Sequence, residues 1–161
     1  MKIDIRRTLV VFLSFVLALY LHLIALSDPL NYINPQWFVL TFIYWNLLVS
    51  HRIGLAFTVV LGLLLDIFEG GILGLHSIAL LLVQFVCIFG YQRFRVFTHL
   101  QKSLIIFALV ATYLYICYWL NGLVSQTAGD PKLMLSALSS ALVWPIVFSF
   151  LRVCRRKYSF S

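Results

Sequence analysis

Residues 53–91 read IGLAFTVVLGLLLDIFEGGILGLHSIALLLVQFVCIFGY. Two apolar runs, 53–68 and 75–91, flank a glycine-rich turn, and the stretch holds two acids, Asp66 and Glu69, but no Lys or Arg. The apolar residues run on without alternation, which excludes the period-two pattern of a membrane β-strand. In hydrocarbon every backbone polar group must be satisfied within the protein, and a helix does this alone. The stretch therefore reads as a helical hairpin in a membrane. An acid such as Asp66 inside it costs about 2.5–3.5 kcal/mol at the bilayer centre, less nearer the interface, so it faces protein or a cavity.

The same pattern extends in both directions. Apolar runs at about 8–27, 36–50, 53–68, 75–91, 103–124 and 133–151 predict six transmembrane helices in one polytopic domain, 1–161. The first run follows Lys2, Arg6 and Arg7 and ends near Ala25-Leu26-Ser27, which admits a cleaved signal peptide as an alternative. Its length exceeds the 7–15 residues of a typical signal core and it carries Tyr20 and His22, which favours a retained helix. Composition agrees with an all-α integral membrane protein: 63% apolar, 11% charged and a mean hydropathy of +1.02. A soluble enzyme or a disordered chain of this size is excluded, because a small fold cannot hide so much apolar surface.

The charges set the orientation. All but one of the 12 Lys and Arg fall in segments on the side of the N-terminus, whereas Asp28, Glu69, Asp130 and Lys132 lie opposite. The positive-inside rule then places both termini in the cytoplasm. The net charge of +7 is thus topological and gives no footing for nucleic acid.

The polar and small residues within the runs are the candidate structural or partner-interface positions. Gly62, Asp66, Gly70 and Gly74 recur at a spacing of four, which predicts a close-packing stripe up to Asp66 and a glycine turn after it. His76, across that turn, would satisfy Asp66 and be satisfied by it; the alternatives are that Asp66 reaches the outer headgroups with no fixed partner, or that it serves a proton or substrate role. In the sixth run Ser136, Ala137, Ser140 and Ala141 form a small-residue face, followed by Trp144 and Pro145; the proline is expected to kink the helix. No nucleophile elbow, zincin motif or phosphate loop occurs. Cys87, Cys117 and Cys154 form no Cys-x-x-Cys pair, and His22, His51, His76 and His99 are dispersed on alternate sides, so no metal, cofactor or catalytic set is expected.

The ordered motifs Asn34-Pro35-Gln36-Trp37, Tyr44-Trp45, His51-Arg52, Gly62-x3-Asp66-x3-Gly70-x3-Gly74 and Leu142-Val143-Trp144-Pro145 resemble the bacterial rod shape-determining MreD family, from Arg7 to about Lys157. In that family the position after Gly74-Leu75 is often basic, and here it is His76. The resemblance implies a non-enzymatic inner-membrane component of the cell-wall elongation machinery. Its implied partners are MreC, the RodA glycosyltransferase, a class B penicillin-binding transpeptidase, and MreB through the complex, with membrane lipid around it. It also implies an architecture resembling the substrate-binding components of energy-coupling-factor transporters. Such a small-molecule binding subunit is the alternative function, although the Ala-x-x-x-Ala face usual on its first helix is missing from Leu17–His22. A proton-coupled carrier would need a second buried titratable group beside Asp66, which the sequence does not single out.

Overall fold

The computed structural model describes residues 5–27, 34–49, 54–70, 72–94, 96–125 and 133–159. The turn at His51-Arg52, Gly71 and the loop charges Lys2, Asp28, Asp130 and Lys132 lie outside the described residues. Six α-helices follow one another: α1 (Ile5–Ser27), α2 (Trp37–Val49), α3 (Leu55–Glu69), α4 (Leu75–Phe94), α5 (His99–Ser125) and α6 (Leu133–Ser159), with no strand among the described residues. The helices match the six apolar runs, with one clear extension. Beyond Leu151, where a tail is expected, α6 continues through Arg152 and Arg156 to Ser159, because arginine and lysine are good helix formers. Pro145 sits inside α6 without ending it.

One short helix organises the bundle. Every residue of α2 from Phe38 to Leu47 is buried, as a helix apolar all round must be. It packs on α1, α4, α5 and α6. Around it the other five form a ring in the order α1, α6, α5, α4, α3. Neighbours along that order pack side by side, while among the described residues α3 and α1 meet through the side-chain pairs Phe15–Phe57 and His22–Glu69. Trp45 Nε1 donates to Ser14 Oγ at 2.8 Å and ties α2 to α1.

Helix α3 hangs on α4. A Cβ built on Gly62 would lie 2.3 Å from the Ser77 Cα, so glycine is what lets the two backbones approach. Ser77 Oγ then donates to the Val59 carbonyl at 3.1 Å. The outer surface of the ring is apolar: Phe12 and Tyr20 on α1, Ile67 on α3, Phe89 on α4, Trp119 on α5 and Leu142 on α6 are all exposed. A soluble monomer does not present apolar surface on this scale. By length and composition, Leu100–Leu123 and Met134–Cys154 are each long and apolar enough to cross a membrane.

Candidate functional site

Two polar junctions hold helices together at the end of the bundle where α1, α3 and α5 finish and α2, α4 and α6 begin. The first is built on Asp66. The first N–H groups of any helix lack partners in their own helix, and here the residue before α4 is Gly74, with φ +95° and no side chain to cap them. Asp66 supplies the cap from the preceding helix. Its Oδ2 accepts the Gly74 N–H at 2.7 Å and its Oδ1 accepts the His76 N–H at 3.0 Å. A carboxylate at a helix N-terminus also meets the positive end of the helix dipole. The turn that brings it there closes on Gly70, at φ +67°, whose N–H donates to the Asp66 carbonyl.

The same carboxylate reaches the His76 ring. Nδ1 lies 2.7 Å from Asp66 Oδ1, while Nε2 faces Glu69 Oε2 at 3.3 Å. Glu69 Oε1 in turn meets His22 Nε2 of α1 at 2.8 Å. The Asp66 side chain is fully buried, those of His22 and His76 nearly so, and that of Glu69 is 22% exposed. On α5, Tyr113 stacks its ring 6.0 Å from that of His76 and is hydrogen-bonded to Cys117. Two carboxylates and two imidazoles from three helices thus form one chain.

The second junction is neutral. The Gln36 N–H, just before α2, donates to Ser140 Oγ at 2.9 Å, and Gln36 Nε2 donates to Ser136 Oγ at 3.1 Å. Ser136 Oγ donates to the Asn34 carbonyl at 2.7 Å, and Ser140 Oγ to the Ser136 carbonyl at 2.7 Å. Each hydroxyl both accepts and donates, so the start of α2 is seated on the serine face of α6.

The structure therefore brings the sequence candidates together in two groups. Gly62, Asp66, Gly70, Gly74 and His76 build the first junction; Asn34 and Ser140 build the second, with Pro35 and Trp37 half-buried beside it. Trp144 is buried in the core, Ala141 is half-buried, and Pro145 faces outward. His22 and Glu69 are named in the sequence without a partner, and Gln36 only as a member of the Asn34–Trp37 motif. The available signal is positional, since all three stand near ends of apolar runs that the alternation of the helices brings to one end of the bundle. Buried titratable groups beside Asp66 are present in His76, which the sequence places across the turn, and in His22, which it does not pair with anything. These groups are gathered at one end, however, and the buried polar residues Thr41, Asn46, Thr58 and Gln84 elsewhere in the bundle are hydroxyls and amides. No three His, Cys, Asp or Glu among the described residues are arranged to hold a metal ion.

A bundle whose described residues are all helical, with an apolar exterior and polar side chains that join helices, has the build of a small membrane protein. The comparisons agree. The model for the family "rod shape-determining protein MreD" matches residues 3–154. The rod shape-determining protein MreD of Haemophilus influenzae is 27% identical over 143 residues, covering 89% of this chain and 88% of its own length. No solved structure matches. The chain belongs to the MreD family, and with it to the proteins of rod-shape determination.

Proposed function

We propose that this chain is a non-enzymatic, multi-pass inner-membrane scaffold of the cell-wall elongation machinery, which holds partner transmembrane segments against its outer faces. Its six helices each cross the membrane, both termini are cytoplasmic, and the two polar junctions lie at the outer end. MreC is the direct partner; the RodA glycosyltransferase and a class B penicillin-binding transpeptidase join the same assembly, and MreB is reached through it. The observation that carries this reading is the direction of the polar groups. The paired ones are turned onto each other inside the bundle, while the ring presents broad apolar faces, suited to lipid and to other membrane helices.

The test is copurification of the tagged full-length protein from mild detergent, with its companions identified. Wall-synthesis proteins are expected; an ATPase-bearing transporter in their place would favour the vitamin-type binding subunit instead. Topology is checked separately by accessibility of single cysteines. Positions 97 and 154 and the N-terminus should label from inside, and positions 30 and 128 from outside. Any one of them on the opposite face breaks the six-span arrangement.

A further inference from the structure

Helices α4, α5 and α6 stand side by side in the ring and hold six bases, Arg93, Lys102, Arg152, Arg155, Arg156 and Lys157, but not one acid. The bases all lie at the end of the bundle where α4 and α6 finish and α5 begins, opposite Asp66 and Glu69. No carboxylate of these three helices answers that charge. On α6 the bases belong to the helix itself, which runs on to Ser159, so Arg152 and Arg156 are fixed one turn apart, and both are exposed. Residues four apart on a helix are neighbours, and like charges there repel. A helix dipole favours a base only within its last turn, and Arg152 stands before that turn. An anion shared between the two guanidinium groups replaces the repulsion with charge-assisted hydrogen bonds.

The surface beneath the arginines says which anion. Leu142, Pro145, Ser149, Arg152 and Arg156 follow one another at alternating intervals of three and four, which is a single stripe along a helix, and every one of them is exposed. From Leu142 to Arg152 the helix rises about 15 Å, half of the ~30 Å of hydrocarbon in a bilayer and thus the depth of one leaflet. Ser149, the polar side chain within that depth, turns its Oγ back to donate to the Pro145 carbonyl at 2.7 Å. On the outward face of neighbouring α5, Thr112 Oγ1 does the same to the Ala108 carbonyl at 2.8 Å. The hydroxyls on this flank are thus satisfied at home, and the surface suits an acyl chain better than a polar partner helix. We propose that the outward face of α6 binds one anionic phospholipid, its phosphate on Arg152 and Arg156 and an acyl chain along Ser149, Pro145 and Leu142. A zwitterionic headgroup brings its own cation against the two guanidinium groups, so the site selects for net negative charge. This rests on the reading that α6 crosses the membrane, but not on which end is cytoplasmic, since both leaflets offer headgroups.

The test uses the full-length protein in nanodiscs of equal parts phosphatidylglycerol and phosphatidylcholine. Lipids that stay on the protein after mild detergent extraction are counted by native mass spectrometry. One base near an anionic surface is worth about fivefold in affinity, so the wild type should retain phosphatidylglycerol over phosphatidylcholine by about 25-fold. The double variant Arg152→Gln/Arg156→Gln should lose most of that preference. Arg93→Gln/Arg95→Gln, which removes the same charge around the end of α4, should keep it. Equal retention of the two lipids by the wild type overturns the proposal. An equal fall in both double variants overturns it too, because the preference would then belong to the whole basic end. If Arg152→Gln/Arg156→Gln does not fold, the wild type still locates the lipid: phosphatidylglycerol with a photoreactive acyl chain should mark α6 between Leu142 and Val153. Marking spread evenly over the exposed faces of all the helices overturns the site. Cysteines at positions 128 and 154 labelling from the same face would break the spanning reading of α6 instead, and that outcome is read separately from the lipid counts.

Discussion

Helices α2 and α3 are alike in length and in apolar content, 13 and 15 residues of mostly Leu, Val, Phe and Ile, yet their surroundings are opposite. The first touches α1, α4, α5 and α6 and shows nothing from Phe38 to Leu47. The second leans on α4, and Leu55, Val60, Ile67 and Phe68 face outward. A helix surrounded on all sides is held by the sum of many van der Waals contacts. A peripheral helix has few of these, and it is held instead by particular atoms: a missing Cβ at Gly62, one carboxylate at Asp66 and a left-handed turn at Gly70. Substitutions should therefore be felt by volume in α2 and by chemical identity in α3.

The largest effect expected is Phe42→Ala in α2. It opens a cavity in the centre of the bundle and should cost about 3–5 kcal/mol, whereas Phe68→Ala on the outer face of α3 should stay within about 0.5 kcal/mol. Thermal unfolding of both in detergent gives the ratio, and equal losses would erase the contrast between the two helices. Next comes Gly62→Val. The obstructing atoms are the Ser77 backbone, which cannot rotate away, so the loss should reach the upper end of overpacking costs, about 3 kcal/mol. Gly90 has open space around it, and Gly90→Ala should be neutral or gain up to about 1 kcal/mol in the same assay.

Asp66→Leu removes the acceptor of three hydrogen bonds, each worth about 0.6 kcal/mol on average in membrane helices, for a loss of about 2 kcal/mol. Asp66→Asn keeps one oxygen for His76 but turns an amide NH2 toward the Gly74 N–H, so it should fall between wild type and Leu. Rescue of rod shape in cells lacking the native protein, with abundance matched, should follow that order. Asn and Leu failing equally at normal abundance and normal partner recovery would mean that charge matters more than the cap. Last, Gly70→Ala places a Cβ at φ +67° and should cost about 1 kcal/mol of thermal stability, more than the two exposed controls Phe68→Ala and Gly90→Ala.

The same contrast decides what could be read in advance. Periodicity and run length report on contact with apolar surroundings, so all six helices and the glycine turn between α3 and α4 are visible in the chain. Asp66 stands out because a lone acid in an apolar run is costly, and His76 follows as its neighbour across the turn. His22 and Gln36 make their contacts at sequence separations of 47 and about 100 residues, and such contacts depend on how the helices are ordered around α2. Run lengths carry no record of that order. Ser136 and Ser140 illustrate the limit: their spacing announces a small face, but only the fold shows it occupied by the start of α2 within the same chain.

The shortness of α3 has a mechanical consequence for the lipid beside it. Fifteen residues rise about 22 Å, against about 30 Å of hydrocarbon in an ordinary bilayer. Helix α2, shorter still at 13 residues, is walled in by protein, whereas the outward face of α3 meets this disparity on the six-span arrangement proposed above. Acyl chains along that face must compress, at a fraction of a kcal/mol for each ångström of mismatch. On that six-span arrangement, the bilayer is strained on one flank of the bundle, and a foreign helix laid over α3 would release that strain before making a single specific contact.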